Sequence, residues 1–315
     1  MEKEILNKFE QWLNSPFLDE KEKAELEEIK DNEKEIIERF YKDLEFGTGG
    51  LRGVMALGTN RMNRFMIGKA TQGFAQYLLK KYDKPTVAIG HDSRNNSDAF
   101  TKVAAAVLAS NGIKTFVYRE LMPTPTISFA VRRLKCSAGV VVTASHNPKQ
   151  YNGYKVYGDD GCQCTIEAAD AIYAEIKKVD AFNDVKYGNY DSLLGNGMIE
   201  IIGEDVFEDY MSSTLKQSIF NEPKILNAIY TPLYGAGRRC ITTVLDRDGF
   251  KSVHVVKEQE LPNGNFPTCP YPNPEIHEAL KLGIEQMLSE NADVLLASDP
   301  DSDRIGVVVN QILVF

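Results

Sequence analysis

Short apolar segments alternate with longer segments of helical periodicity along most of this 315-residue chain. The alternation starts with a predicted helix over 69–81, followed by a predicted strand over 85–90 and an alanine-rich helix over 97–111. Strands that alternate with helices are typical of layered α/β sheets, because each sheet face needs apolar cover. The chain is therefore predicted to be an α/β protein.

The alternation divides into two units. The Asn-, Asp- and Gly-rich stretch 180–198 is the expected boundary. The first unit is completed by strands over 113–118 and 138–143 and by helices over 126–134 and 165–178. The second contains helices over 204–219, 236–248 and 275–290, strands over 225–230, 252–256 and 293–297, and a proline-rich loop over 260–274.

Residues 1–45 are predicted to be helical, because Ile5, Phe9 and Trp12 recur at helical spacing. Pro16 and Asp19 separate two expected helices. This region holds 15 acidic and 8 basic residues and so carries most of the net charge of −9. The acidity indicates a solvated face of the helices.

Composition excludes several classes of protein. The chain has no basic block, which argues against broad electrostatic binding to nucleic acid. Its charged start lacks a secretory apolar core, and no apolar run approaches the ~20 residues of a membrane helix. The five cysteines are odd in number and form no CxxC pair, so they are interpreted as reduced thiols. We expect a cytoplasmic protein with neither nucleic acid nor membrane as partner.

The segment TASHNP follows a predicted buried strand and places Ser145 and His146 at its end. Polar groups at a strand's end face the crevice where α/β sheets bind ligands. Ser145 is a candidate nucleophile or phosphate carrier, and His146 a candidate for proton transfer. An ordinary polar turn is the alternative.

The segment DPDSDR places Asp299, Asp301 and Asp303 after another apolar strand. Three carboxylates this close repel one another unless a cation lies among them, and hard oxygen ligands suit Mg²⁺. An acidic capped turn is one alternative. A phosphatase of the haloacid-dehalogenase type, with Asp299 as its nucleophile, is another.

Three further segments carry candidate residues. Arg52 lies in the glycine cluster FGTGGLRG, where backbone can approach a phosphate, although a linker is the simpler interpretation. Arg94 lies in GHDSR, which also suits a helix cap with a surface salt bridge. Lys155 lies in NGYKVY; a lysine acts as an acid or base only when its environment lowers its pKa, and most lysines are simply solvated.

Taken in order, FGTGGLRG, GHDSR, TASHNPKQYNGYKVY and DPDSDR resemble the motifs of the α-D-phosphohexomutase superfamily, which includes phosphoglucomutases and phosphomannomutases. The string HNPKQYNGYKVY and the segment YPNPE look most like its phosphoglucomutase-2 and phosphopentomutase branch. The resemblance implies an α/β fold of two consecutive three-layer α/β/α domains with mixed sheets, preceded by N-terminal helices. The expected bounds are 1–45 for the helical extension, 46–185 for domain I and 195–315 for domain II.

The resemblance also implies roles for individual residues. Ser145 corresponds to the serine that carries a phosphoryl group. Proton transfer is assigned by resemblance to Arg52, His146 and Lys155. The implied Mg²⁺ ligands are Asp299, Asp301 and Asp303, with Ser145 completing the site. Contacts to substrate or phosphate are assigned to Arg52, Arg94, Asn147 and Arg304.

The implied reaction moves phosphate between C1 and C6 of glucose through glucose 1,6-bisphosphate, in carbohydrate metabolism. A phosphomannomutase, a phosphopentomutase or a non-catalytic binding protein stays open as an alternative. Family members also have a sugar-selecting loop in domain III and a phosphate-gripping loop in domain IV. Neither motif occurs here, so we expect domains III and IV to be absent and this chain to be weakly active or inactive.

Overall fold

Three helices open the fold in a computed structural model that describes residues 2–47, 49–220 and 222–309. They are α1 (Lys3–Leu13), α2 (Glu20–Glu28) and α3 (Glu33–Phe40). The predicted helical region is confirmed, with three helices instead of two. Asp19 caps α2 through the backbone N–H of Glu22, and Asn32 caps α3 through that of Glu35. The second cap interrupts what the sequence presents as one helix.

A six-stranded mixed sheet forms the first α/β unit. Its strands are β1 (Gly50–Val54), β2 (Thr86–His91), β3 (Lys114–Val117), β4 (Ala138–Val142), β5 (Tyr151–Tyr157) and β6 (Ile199–Ile201), in the order β1-β5-β4-β2-β3-β6. Strands β2, β3, β4 and β6 run parallel, whereas β5 is antiparallel to both β1 and β4. The predicted mixed sheet is confirmed.

Helices cover both faces of this sheet. They are α4 (Arg64–Lys81), α5 (Ser97–Ser110), α6 (Thr124–Arg133), α7 (Ile166–Ile176) and α8 (Tyr190–Gly195). Successive strand residues point to opposite faces. Val140 and Val142 accordingly pack with α4, α5 and α7, while Val141 packs with α6. These sheet residues are fully buried, which explains the continuous apolar runs in the sequence.

Three strands of this unit were not expected. The glycine cluster around Arg52 forms β1, and the segment NGYKVY forms β5 as its partner. Their glycines and polar residues obscure the apolar pattern of a strand. The short strand β6 pairs with β3, so the first unit extends beyond the expected start of the second domain at residue 195.

A four-stranded sheet forms the second unit. Its strands are β7 (Asn227–Thr231), β8 (Ser252–Val255), β9 (Val294–Ser298) and β10 (Ile305–Val309), in the order β10-β9-β7-β8. Its helices are α9 (Glu204–Leu215), α10 (Gly237–Arg247), a short 3-10 helix (Lys257–Gln259) and α11 (His277–Ser289). The expected elements are present with ends shifted by a few residues. The last part of the expected domain, 310–315, lies outside the described residues.

The two units meet through the loop that follows β9. The backbone N–H of Thr124, at the start of α6, donates to the carbonyl of Asp301 at 2.8 Å. Arg133 of α6 pairs with Asp209 of α9 at 2.6 Å. These contacts bring the ends of β4 and β9 to one place. Within the described ranges, no helix combines the length and apolar character that a membrane span requires.

Candidate active site

The Ser145 loop leaves the carboxyl end of β4. Val140, Val141 and Val142 anchor the strand in the core, so the next residues emerge at the sheet's edge. Ser145 adopts a left-handed backbone conformation with φ of 53°. Its side chain is largely buried and its hydroxyl points towards the second unit.

The aspartate loop leaves the carboxyl end of β9 and turns into β10. Asp299 Oδ1 accepts hydrogen bonds from the backbone N–H groups of Asp303 and Arg304, both at 3.1 Å. These bonds close the loop on itself. Asp299 and Asp301 are fully buried, whereas the side chain of Asp303 is about one-third exposed.

The two loops meet at Ser145. Its Oγ donates to Asp299 Oδ2 at 2.7 Å and lies 3.5 Å from Asp303 Oδ1. Carboxylate oxygens of Asp299, Asp301 and Asp303 lie within 4.8 Å of one another. The structure thus brings Ser145 together with three predicted aspartates that lie some 150 positions later in the sequence.

Lys155 supplies the positive charge beside these carboxylates. The register of β5 places it opposite Val141 of β4, close to the Ser145 loop. Its Nζ donates to Asp301 Oδ2 at 2.8 Å and to Asp303 Oδ2 at 2.9 Å. Burial lowers the pKa of Lys155, but the attraction of both carboxylates outweighs it and holds that pKa above its usual value.

The pKa values of two of the carboxylates shift in opposite directions. Burial, together with repulsion by Asp301 and Asp303, raises the pKa of Asp299 to about 8. Burial opposes ionisation of Asp301 as well, yet Lys155 reverses the effect and lowers the pKa of Asp301. Asp301 Oδ1 is buried and has no hydrogen-bond partner within the described part of the chain. A buried oxygen without a partner, in an all-oxygen cluster, fits a hard divalent cation.

His146, Arg52 and Asn147 lie at the mouth of the site. His146 is half-buried, and its Nδ1 lies 3.3 Å from Ser145 Oγ. Burial, followed by the charges of Arg304 and Arg52, lowers the pKa of His146. The exposed Arg52 donates to Asn147 Oδ1 at 3.1 Å, which joins β1 to the Ser145 loop.

Arg304 and Arg94 occupy different environments. Arg304 is exposed and pairs with Glu275 at 2.8 Å. Arg94 is fully buried behind the Ser145 loop, where its Nη atoms donate to backbone carbonyls. This placement does not fit the expected role of Arg94 in binding phosphate, because the guanidinium is already engaged.

Sequence reasoning missed Thr124. Its Oγ1 donates to Asp301 Oδ2 at 2.8 Å, so the first unit holds Asp301 through both the backbone and the side chain of Thr124. The proline-flanked segment 123–125 marks a helix start in the sequence. Nothing local reveals a contact that spans 177 positions.

Comparisons with known proteins point to one protein family. The model for phosphoglucomutase/phosphomannomutase α/β/α domain I matches residues 43–183, and the model for domain II of the same family matches residues 208–311. A phosphoglucomutase of Staphylococcus saprophyticus is 36% identical over 265 residues, which cover 84% of this chain and 48% of that protein. A Haemophilus influenzae protein named "Probable phosphomannomutase" is 38% identical over 253 residues, covering 79% and 50%.

A solved structure adds support for the fold alone. The crystal structure of a phosphoglucomutase/phosphomannomutase family protein from Burkholderia thailandensis superimposes with a TM-score of 0.67 at 22% identity. The match covers 84% of this chain and 54% of that chain. This chain spans about half the length of the curated relatives it matches.

Proposed function

Since the chain belongs to the phosphoglucomutase/phosphomannomutase family, we propose that it provides the phosphoryl-carrying serine and the cation-binding loop of a sugar-phosphate mutase. The observation that carries the proposal is the 2.7 Å hydrogen bond from Ser145 Oγ to Asp299 Oδ2. A nucleophilic hydroxyl lies against carboxylates that have the chemistry of a cation site. Glucose phosphates are the proposed substrates, with mannose and pentose phosphates as alternatives.

Ser145 carries the phosphoryl group in this proposal. When a sugar bisphosphate primes the protein, a bond forms between Ser145 Oγ and phosphorus while the bond from phosphorus to the sugar oxygen breaks. The hydroxyl proton of Ser145 has an acceptor at hand in the imidazole of His146, whose Nδ1 lies 3.3 Å from Ser145 Oγ, and the departing sugar oxygen takes up a proton in return. The unphosphorylated protein is inert towards a sugar monophosphate.

Asp299, Asp301 and Asp303 would hold Mg²⁺, with Ser145 beside them. Bound there, the ion would neutralise negative charge that develops on the serine oxygen during phosphoryl transfer. The unpartnered Oδ1 of Asp301 and the oxygen-only donor set support this assignment. Thr124 positions Asp301 for the same role through the hydrogen bond that its hydroxyl donates.

His146 is the proposed proton acceptor from the attacking sugar hydroxyl. Its lowered pKa keeps the imidazole neutral near pH 7, and the ring lies next to Ser145 Oγ. Lys155 is held in its charged form by Asp301 and Asp303, so it serves as a counter-charge and not as an acid or base. This division of roles refines the resemblance, which assigns proton transfer to both.

Arg52, Asn147 and Arg304 are the proposed contacts for the substrate's phosphate. Arg52 and Arg304 are exposed at the mouth of the site, where a guanidinium can bind phosphate with two parallel hydrogen bonds. The five cysteines are free in this fold, which fits a reducing compartment such as the cytoplasm.

The test is phosphorylation of the chain by glucose 1,6-bisphosphate in the presence of Mg²⁺. We expect intact-mass spectrometry to detect one phosphoryl group, with peptide mapping to Ser145 and no modification of Ser145→Ala. The ester should survive acid, as phosphoserine does. Acid-labile phosphate on Asp299 would instead favour a phosphatase. Absence of phosphate under all conditions would favour a non-catalytic binding protein.

A further inference from the structure

Ser145 is held in a backbone conformation that serine rarely adopts. Its φ of 53° lies in the left-handed region, where the Cβ of an L-residue comes too close to the following carbonyl oxygen. Such a conformation persists only where the surroundings enforce it. The groups that hold the peptides on either side of Ser145 therefore decide where its hydroxyl points.

Arg94 holds the carbonyl side of the loop. Its Nη2 donates to the carbonyls of Ser145 and Asn147, and its Nη1 donates to those of Pro148 at 3.0 Å and Tyr151 at 3.1 Å. The side chain has no exposed surface. Four of its hydrogen bonds thus end on one short loop, each between a charged donor and a backbone carbonyl.

Asp92 holds the amide side of the loop through Thr143. The backbone N–H of Ser145 donates to Thr143 Oγ1 at 2.8 Å, and that hydroxyl donates to Asp92 Oδ2 at 2.6 Å. Asp92 Oδ1 accepts from the backbone N–H of Arg94 and from Ser97 Oγ, both at 2.9 Å. Arg94 Nε lies 3.3 Å from Asp92 Oδ2, so the two charged side chains also pair.

We propose that Asp92, Thr143 and Arg94 form a serine-loop clamp, which fixes both peptides of Ser145 and aims its hydroxyl at Asp299. Arg94 is then a positioning residue and contacts no phosphate. The consequence for phosphoryl transfer rests on the function proposed above. The clamp itself is a statement about the backbone and can be tested without any reaction.

The test compares Arg94→Lys and Thr143→Val with wild type by hydrogen–deuterium exchange of peptides covering residues 143–153. Hydrogen bonds to charged groups stabilise a loop more than neutral ones do, so we expect their loss to quicken exchange in this segment about tenfold or more. Arg39→Met is the matched control: Arg39 is also largely buried, and it pairs with Glu25 and Glu35 away from the loop. Unchanged exchange over 143–153 in both variants overturns the clamp.

Kinetics of Ser145 phosphorylation by glucose 1,6-bisphosphate separate positioning from phosphate binding. The clamp predicts a maximal rate that falls about tenfold or more in Arg94→Lys, with an unchanged half-saturating donor concentration. A raised half-saturating concentration at an unchanged maximal rate makes Arg94 a phosphate ligand and overturns the proposal. If wild type accepts no phosphate, the proposed function fails, and the exchange experiment alone decides the clamp.

Discussion

The two α/β units differ in how completely their sheets are covered. In the first unit, strand residues such as Ile89 are fully buried between helices on both faces. In the second, α11 packs on one face, but β10 exposes Ile305, Val307 and Val309 by 68, 54 and 58%. A groove of about 390 Å³ lies between α10 and this strand.

The same contrast extends to the two loops of the site. The Ser145 loop is held by its own unit through buried, hydrogen-bonded groups. The aspartate loop depends on the other unit, because Lys155 and Thr124 hold Asp301 from outside. The first unit therefore holds its own loop in place, and the second presents carboxylates whose charge Lys155 of the first unit balances.

The largest expected effect comes from replacing an isoleucine by alanine in each of the two sheets. The comparison tests whether the first sheet is covered more completely than the second. Ile89→Ala opens a cavity in the first sheet and should lower the free energy of unfolding by about 2–5 kcal/mol. Ile305→Ala removes a side chain that is mostly in solvent and should change it by less than about 0.5 kcal/mol. Denaturant unfolding of both variants measures this, and equal losses would refute the contrast.

Loss of a carboxylate tests the aspartate loop. Substituting a residue that only hydrogen-bonds to a metal ligand lowers metal affinity about 10–100-fold. Because Asp301→Asn changes a proposed ligand itself, it should weaken Mn²⁺ binding by more than about 100-fold. Asp246→Asn, which changes an exposed carboxylate in the same unit, is the control. Titration calorimetry with Mn²⁺ measures both, and normal binding by Asp301→Asn would place the cation elsewhere.

Substitutions of Lys155 test whether its charge, from the first unit, offsets the charges of Asp301 and Asp303 in the second. Its ammonium lies where it opposes a cation among the same carboxylates, so Lys155→Met should tighten Mn²⁺ binding about tenfold. Lys155→Arg keeps the charge and should stay near wild type. Weaker or unchanged binding in Lys155→Met would show that the lysine does not compete with the cation.

The pKa of Asp299 predicts a pH dependence. Since a cation displaces the proton, Mn²⁺ affinity should fall by up to about tenfold per pH unit below 8 and level off above it. The raised pKa of Asp299 also means that its protonated form stabilises the metal-free protein against unfolding at low pH. This contribution to the free energy of unfolding is lost as the pH rises through about 8. Mn²⁺ titrations from pH 6 to 9 test this; a flat profile would contradict the burial argument.

The smallest expected effect comes from the hydroxyl of Thr124, which contacts Asp301 across the two units. Thr124→Val removes the hydroxyl that donates to Asp301 while nearly preserving shape, and should weaken Mn²⁺ binding about three- to tenfold. Thr268→Val, which removes a hydroxyl that bonds Tyr234 and Gln259 inside the second unit, is the control. Equal binding by wild type and Thr124→Val would mean that Asp301 needs no such support.

Local pattern in the sequence predicts most of this fold. Apolar runs such as 138–142 and helical spacing in α5 report burial directly, so their elements are found. Strands β1 and β5 are missed because glycines and tyrosines conceal their periodicity. The three carboxylates stand out because they repel one another unless a cation lies among them, whereas Ser145 is singled out only by the resemblance of its motif to that of the superfamily.

The rest of the site depends on contacts between distant positions. Arg94 contacts the Ser145 loop, which lies some 50 residues later in the sequence. The motif GHDSR alone does not show whether the guanidinium faces this loop or a ligand. Thr124 and Asp92 look like ordinary turn residues until the fold places them beside Asp301 and Thr143. Register and packing, which no local pattern encodes, determine these roles.

Anomalous diffraction from crystals of this chain soaked in Mn²⁺ tests the central claim most directly. The claim is that loops from two differently built units form one cation site beside a nucleophilic serine. It predicts a peak bounded by Asp299, Asp301 and Asp303 and adjacent to Ser145 Oγ. A soaked crystal with no peak among these carboxylates, or with manganese bound only elsewhere, would contradict it.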